Sequence, residues 1–185
     1  MEDLNTKNSS NKEIERKFLV DISTKGLFSK LISLLSSERH TMDPLTGSAY
    51  IRQGYLSLDP KRTIRVRIID NAHAAITIKG ETVGISKDEF EYSIPVKDAE
   101  IMIQQICMHP IIEKVRHTVW INQKLWEIDF FEGENEGLII AEVELDSEDE
   151  DIDIPNWIGE EVSNDPRYFN SSLVKNPFKS ETFSV

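Results

Sequence analysis

The chain is poor in cysteine, with Cys107 alone among 185 residues. A single thiol excludes an intramolecular disulfide and leads us to expect a cytoplasmic setting. In that setting the sequons at Asn8 and Asn170 carry no meaning. Long apolar runs are missing as well. None approaches the ~20 residues of a membrane helix. The start, "MEDLNTKNSSNKE", lacks a basic segment followed by an apolar one, so no signal peptide is expected. Positive charge is scarce: 21 Lys and Arg stand against 33 Asp and Glu, a net charge of −12. That excludes a general nucleic-acid binder, which needs a basic surface to neutralise phosphates. It leaves room for a small anion held by a local basic cluster or by metal ions. There is no Ser-His-Asp arrangement, and "TIKGETVG" holds too few glycines for a phosphate loop. None of His40, His73, His109 and His117 needs a catalytic role.

What remains suits one globular domain, with 39% hydrophobic and 29% charged residues. Residues 1–11 read as disordered, 12–176 as the domain and 177–185 as a flexible tail. Strand patterns cover "EIERKFLV", "AYIRQGYLSL", "RTIRVRII", "AAITIKG", "DEFEYSIPV", "EKVRHTVWI", "LWEIDFFEG" and "GLIIAEVEL". Turn chemistry separates them. Helices are expected at 24–36, at 98–108 capped by Asp98, and at 166–174 capped by Asn164 or Asp165. The acidic run "DSEDEDIDIP" lacks the glycine and ligand spacing of a calcium loop and reads as a solvated loop. Many strands in one meander predict an antiparallel sheet or barrel.

Side chains of a strand alternate between two faces. Glu13, Glu15 and Lys17 therefore share one face, opposite Ile14, Arg16 and Phe18. The same split recurs. Arg65 with Arg67, Lys79 with Thr77, Glu89 with Glu91, Lys114 with Arg116, Glu127 with Asp129, and Glu142 with Glu144 each lie opposite apolar residues. A sheet with a wet outer face would also alternate. A wet face, however, mixes neutral polar residues, whereas here same-sign charges repeat at i, i+2. Exposed like charges that close cost of order a few tenths of a kcal/mol per pair. The repetition makes sense if the charged faces converge. Carboxylates would then hold hard divalent cations and Lys and Arg would hold phosphate oxygens. The result is an inside-out barrel with a charged lumen and an apolar exterior beneath helices.

The motif Glu13-x-Glu15-x-Lys17 resembles the signature of the CYTH domain, or triphosphate tunnel metalloenzyme, family. The blocks "RQGYLS", "IRVR", "TIKG", "EFEY", "EKVRH", "WEIDFF", "AEVEL" and "GEEVSNDPRYFNSSL" follow in order over nearly the whole chain. The resemblance implies a mainly antiparallel α+β fold, an eight-stranded β-barrel tunnel flanked by a few helices. It also implies metal-dependent hydrolysis of a triphosphate, with Mg²⁺ or Mn²⁺ as cofactor. Glu13, Glu15, Asp129, Glu142 and Glu144 match metal-site carboxylates. Lys17, Arg65, Arg67, Lys79, Lys114, Arg116 and Arg167 match phosphate-contacting residues. Lys114 and Tyr55 match catalytic positions, and Glu89 and Glu91 match acids within the tunnel. The short chain and the "RQGYL" block lean toward inorganic tripolyphosphate. A class IV adenylate cyclase, a thiamine or nucleoside triphosphatase, and a non-catalytic polyphosphate binder are the alternatives. The expected partner is a small triphosphate, with no nucleic acid and no membrane, and a homodimer stays open.

Overall fold

In a computed structural model, residues 12–20, 33, 47–81 and 86–178 are described. The helix expected at 24–36, the start at 1–11 and nearly all of the 37–48 loop lie outside them. The first strand, β1 (Lys12–Val20), is followed by β2 (Gly47–Ser57), β3 (Arg62–Ile69), β4 (His73–Gly80) and β5 (Ser86–Ser93). Then come helix α1 (Val96–Gln105), β6 (Met108–Ile121), β7 (Lys124–Glu132), β8 (Ile139–Glu144) and β9 (Ile158–Glu161). A 3₁₀ turn (Pro166–Tyr168) and a short helix α2 (Asn170–Lys175) close the described chain.

All nine strands form one antiparallel sheet in the order β5-β4-β3-β2-β6-β7-β8-β1-β9. β1 also pairs with β5, over Lys12↔Asp88, Glu13↔Lys87 and Ile14↔Ser86. The expected eight-stranded barrel is thus corrected. One curled antiparallel sheet forms the tunnel, and among the described residues its edges meet over three register pairs. A ninth strand, which the short "IGEE" segment did not announce, extends it beyond β1.

Turn chemistry sets the registers. Asn122 and Gln123 both take positive φ, 49° and 66°, which a two-residue hairpin between right-twisted strands requires. They leave Ile121 paired with Lys124. Helix α1 begins two residues earlier than expected. Pro95 occupies the cap position and Asp98 lies in the first turn, where a carboxylate favours the helix N-terminus. At the other end Asp165 accepts a hydrogen bond from the Arg167 amide and caps the 3₁₀ turn. The expected loose tail is anchored at its beginning, because the Phe178 amide donates to Asn135 Oδ1 at 2.8 Å.

Three apolar clusters follow from the alternation. The outer faces of β1, β7 and β8 bury Phe18, Trp126, Ile128, Ala141 and Val143 beneath Trp157. Each such side chain contributes roughly 1.5–3 kcal/mol. The outer face of β3, with Val66 and Ile68, is covered by Ala99 and Ile103 of α1. Gly54 permits that contact on β2, since a Cβ there would lie 2.7 Å from Cys107 Cβ. The third cluster was not foreseen. Tyr55, Ile112, Phe131, Leu138 and Ile140 meet Leu173 and Val174 of α2. Alternation places these strand residues on the charged face, so one end of the lumen is apolar and stoppered by α2.

Candidate functional site

The curled sheet encloses a cavity of about 710 Å³. Glu15 and Lys17 of β1, Tyr55 of β2, Arg65 and Arg67 of β3, and Lys79 of β4 line it. Glu89 and Glu91 of β5, Arg116 of β6, Glu127 of β7, and Glu142 and Glu144 of β8 complete the charged wall. These residues converge as the alternation predicts. The C-terminal segment adds Phe169, Asn170, Ser171, Ser172 and Lys175.

Arg116 is the hub of the wall. Its Nε and Nη2 donate to Asp129 Oδ1 and Oδ2, each at 2.7 Å, and Nη2 also reaches Glu142 Oε2 at 2.9 Å. Nη1 donates to Glu127. Although burial opposes its charge, Asp129, Glu127 and Glu142 hold the guanidinium well above its ordinary pKa. Lys17 donates to Glu142 and lies 3.1 Å from Glu15 Oε2. Burial again opposes the charge, but these two carboxylates outweigh it and raise the Lys17 pKa. Burial likewise opposes the Glu142 charge, yet Lys17, Arg116 and Lys114 keep that carboxyl well below its usual range. On the far side, Arg65 Nη2 lies 3.3 Å from Glu89 Oε1 and Lys79 Nζ lies 2.6 Å from Glu89 Oε2. Thr77 donates to Glu91 Oε2 at 2.8 Å. Glu89 thus bridges Arg65 and Lys79, and Glu91 accepts from Thr77.

Two guanidinium groups on the wall are incompletely paired among the described residues. Arg67 has no carboxylate partner among the described residues. Its Nε donates to the neutral Gln53 Oε1 at 3.2 Å. Burial, then Arg65 and Arg116, push its pKa down to about 10. Arg65 Nε is buried with no hydrogen-bond partner. A buried donor left unmade costs ~1–3 kcal/mol, more when charged.

The acids suit a hard cation by chemistry. Glu15 stands opposite Glu144 across β1 and β8, and Glu127 opposite Glu142 across β7 and β8. Directly opposed like charges destabilise a sheet unless a cation lies between them. Arg116 bonds both members of the second pair. For the first pair, Lys17 Nζ lies 3.1 Å from Glu15 Oε2, and both carboxylates line the cavity, where their oxygens suit a hard divalent ion by chemistry. Glu13 shares the backbone face of Glu15, and its side chain is outside the described residues.

Three expectations are corrected. Asp129 is fully buried and does not line the cavity, its oxygens already accepting from Arg116 and Lys114. In this structure it holds those two cations. Lys114 is fully buried beside Phe131, whose ring centroid lies 5.5 Å from Nζ. It pairs across the sheet with Ile51, four residues before Tyr55 on β2, and no hydrogen bond joins Lys114 to Tyr55. Burial, then Arg116, lowers the Lys114 pKa to about 8. Arg167 is exposed and bound to Asp165, with Nε 2.9 Å from Oδ2, and it does not line the cavity. The residue that sequence reasoning missed is Gln53, wholly buried between Arg67 and Tyr55. A neutral amide inside the block "RQGYL", on the face of Tyr55, was the only signal for it.

The CYTH domain family model matches residues 11–175. The chain is 43% identical over 169 residues to a protein of Acetivibrio thermocellus named inorganic triphosphatase, covering 91% of this chain and 97% of that one. An inorganic triphosphatase of Nitrosomonas europaea is 34% identical over 165 residues, covering 87% and 95%. Among solved structures, an inorganic triphosphatase superposes with a TM-score of 0.56 at 30% identity, over 88% of this chain and 93% of that one. A putative adenylyl cyclase from Hippeastrum shares the fold at 16% identity and a TM-score of 0.52, over 73% and 80%.

Proposed function

Because the chain belongs to the CYTH domain family, we propose that it hydrolyses inorganic tripolyphosphate to pyrophosphate and phosphate inside its tunnel, with Mg²⁺ or Mn²⁺. The observation that carries this reading is the half-buried Arg67 guanidinium on the cavity wall, which stands beside Arg65 and Arg116 and makes no ion pair among the described residues. A chain of phosphates would supply Arg67 with the negative charge that Arg65 and Arg116 already draw from carboxylates. Both curated relatives are named inorganic triphosphatases, which favours a phosphate chain without an organic group.

Glu15, Glu142 and Glu144, with Glu13 on the same strand face, would hold the metal. A bound ion supplies charge neutralisation at phosphate oxygens and a more acidic water. The chain's own residues do the rest. Lys17, Arg65, Arg67, Lys79 and Arg116 fix the substrate and stabilise the charge that develops on the transferred phosphoryl group. Asp129 holds Arg116 in place from behind the wall, and Lys114 braces Asp129. Tyr55 donates to a phosphate oxygen. Lys114 acts through Asp129 rather than on substrate. A single tunnel domain over 12–176, a cytoplasmic setting, a small-molecule partner rather than nucleic acid, and an open question of dimerisation complete the reading. No helix of the described residues is long and apolar enough to cross a membrane.

The test is a panel. Pure protein is incubated with tripolyphosphate, ATP and thiamine triphosphate, each with Mg²⁺ or Mn²⁺, and phosphate and cyclic AMP are measured. Phosphate released fastest from tripolyphosphate is the expected result. Formation of cyclic AMP, or no phosphate from tripolyphosphate with either metal, overturns the proposal.

A further inference from the structure

The geometry points to Gln53 as a positioning residue that aims the Tyr55 hydroxyl proton into the tunnel, an inference that rests on the triphosphatase reading. Gln53 is completely buried on the lumen face of β2. One side of its amide meets Arg67 Nε at 3.2 Å and the other meets Tyr55 Oη at 2.8 Å. An arginine side chain can only donate. The atom facing Arg67 is therefore the amide oxygen, and the atom facing Tyr55 is the amide nitrogen. That settles the usual ambiguity between the two ends of a glutamine. Gln53 Nε2 donates, so Tyr55 Oη accepts and its own proton must go elsewhere.

Among the described residues no acceptor takes that proton. Tyr55 is itself buried, yet it lines the cavity. Arg65 stands directly opposite it across β2 and β3. Arg65, Arg67 and Lys17 are its strongest charged neighbours. A phenol O–H directed among cations is favourable only if an anionic oxygen lies there. Burial raises the Tyr55 pKa, which keeps the group a donor. One neutral amide thus sets two donors at once, the Arg67 guanidinium and the Tyr55 hydroxyl, toward the same phosphate chain. A carboxylate at this position would capture the Tyr55 proton, and an apolar side chain would release both partners.

The experiment compares Gln53→Glu, Tyr55→Phe and the double variant in phosphate release from tripolyphosphate with Mg²⁺ or Mn²⁺. Gln53→Glu keeps nearly the same shape and captures the Tyr55 proton, so kcat should fall at least tenfold; it also gives Arg67 a carboxylate, so KM should rise as well. Tyr55→Phe should cost at least tenfold in kcat alone and less than about twofold more in the Gln53→Glu background, because the donor is already lost. Equal effects of Tyr55→Phe in both backgrounds, or a Gln53→Glu kcat within twofold of the parent, overturn the inference. A second readout needs no turnover. At constant neutral pH the ¹³Cζ resonance of Tyr55 should move in Gln53→Glu while those of Tyr50, Tyr92 and Tyr168 stay in place. An unmoved Tyr55 signal refutes the role of Gln53. A moved signal in a protein inert toward tripolyphosphate refutes the triphosphatase reading while leaving the contact standing.

Discussion

At the residue scale, the tunnel trades stability for charge. Arg67 is desolvated and repelled by two other guanidinium groups, so function and folding pull in opposite directions there. Arg67→Met should lower kcat/KM for tripolyphosphate about 10–100-fold, the loss expected from one charge-assisted contact. The same variant should melt about 2–4 °C higher, from ~1 kcal/mol of relieved repulsion. A lower Tm would contradict the reading of Arg67 as a cation without a protein partner. Glu144→Gln should cut metal-dependent turnover by orders of magnitude while circular dichroism stays unchanged. Lys114 gives a pH signature. Its folded pKa, about 8, lies below the unfolded value near 10.5. Between those limits the unfolded chain binds more protons, so this group makes stability rise with pH. Lys17, whose pKa is raised, contributes stability that is present below 10.5 and lost at higher pH. In urea unfolding, Lys114→Met should remove the rise above pH 8. The lumen residues were legible because same-sign charges at i, i+2 are hard to explain otherwise. The depth of Asp129 and Lys114 was not, since it depends on how β2, β6 and β7 are staggered, which is a non-local property. Gln53 was illegible because a neutral amide does not announce a charged tunnel.

At the element scale, the strands were legible from their period and turn residues, and β3 matches its expected span to the residue. The two described helices shifted by a few residues because their boundaries depend on Pro95 and on a 3₁₀ turn at Pro166. The contact of α1 with β2 yields a prediction. Gly54→Ala places a methyl 2.7 Å from Cys107 Cβ and 2.8 Å from its sulfur. The cost should be about 1–3 kcal/mol, read from the urea midpoint. Burial pushes the Cys107 thiol up to about 11, so a thiol reagent at pH 8 should label the native protein slowly. Gly54→Ala should speed that labelling, and equal rates would show that α1 does not rest on β2 at this point. The stopper α2 is too short to persist by helix propensity alone. It stays because Leu173 and Val174 fill the apolar end of the lumen. Leu173→Ala should destabilise by about 2–5 kcal/mol.

At the scale of the whole molecule, the lumen brings together charges that the sheet cannot neutralise alone, so ligands should act as folding partners. Tripolyphosphate with metal should raise Tm in proportion to the logarithm of its concentration, and a chelator should abolish turnover. The alternation of charge predicted a tunnel, while the way it is joined was beyond the sequence. Among the described residues β6 and β7 are bonded over nine register pairs and β2 and β6 over eight, while β1 and β5 meet over three. Under native conditions the amides of 12–14 and 86–88 should exchange with deuterium through a local opening that leaves the β2–β6–β7 wall protected. Solvent would then reach the lumen along the seam while that wall still stands.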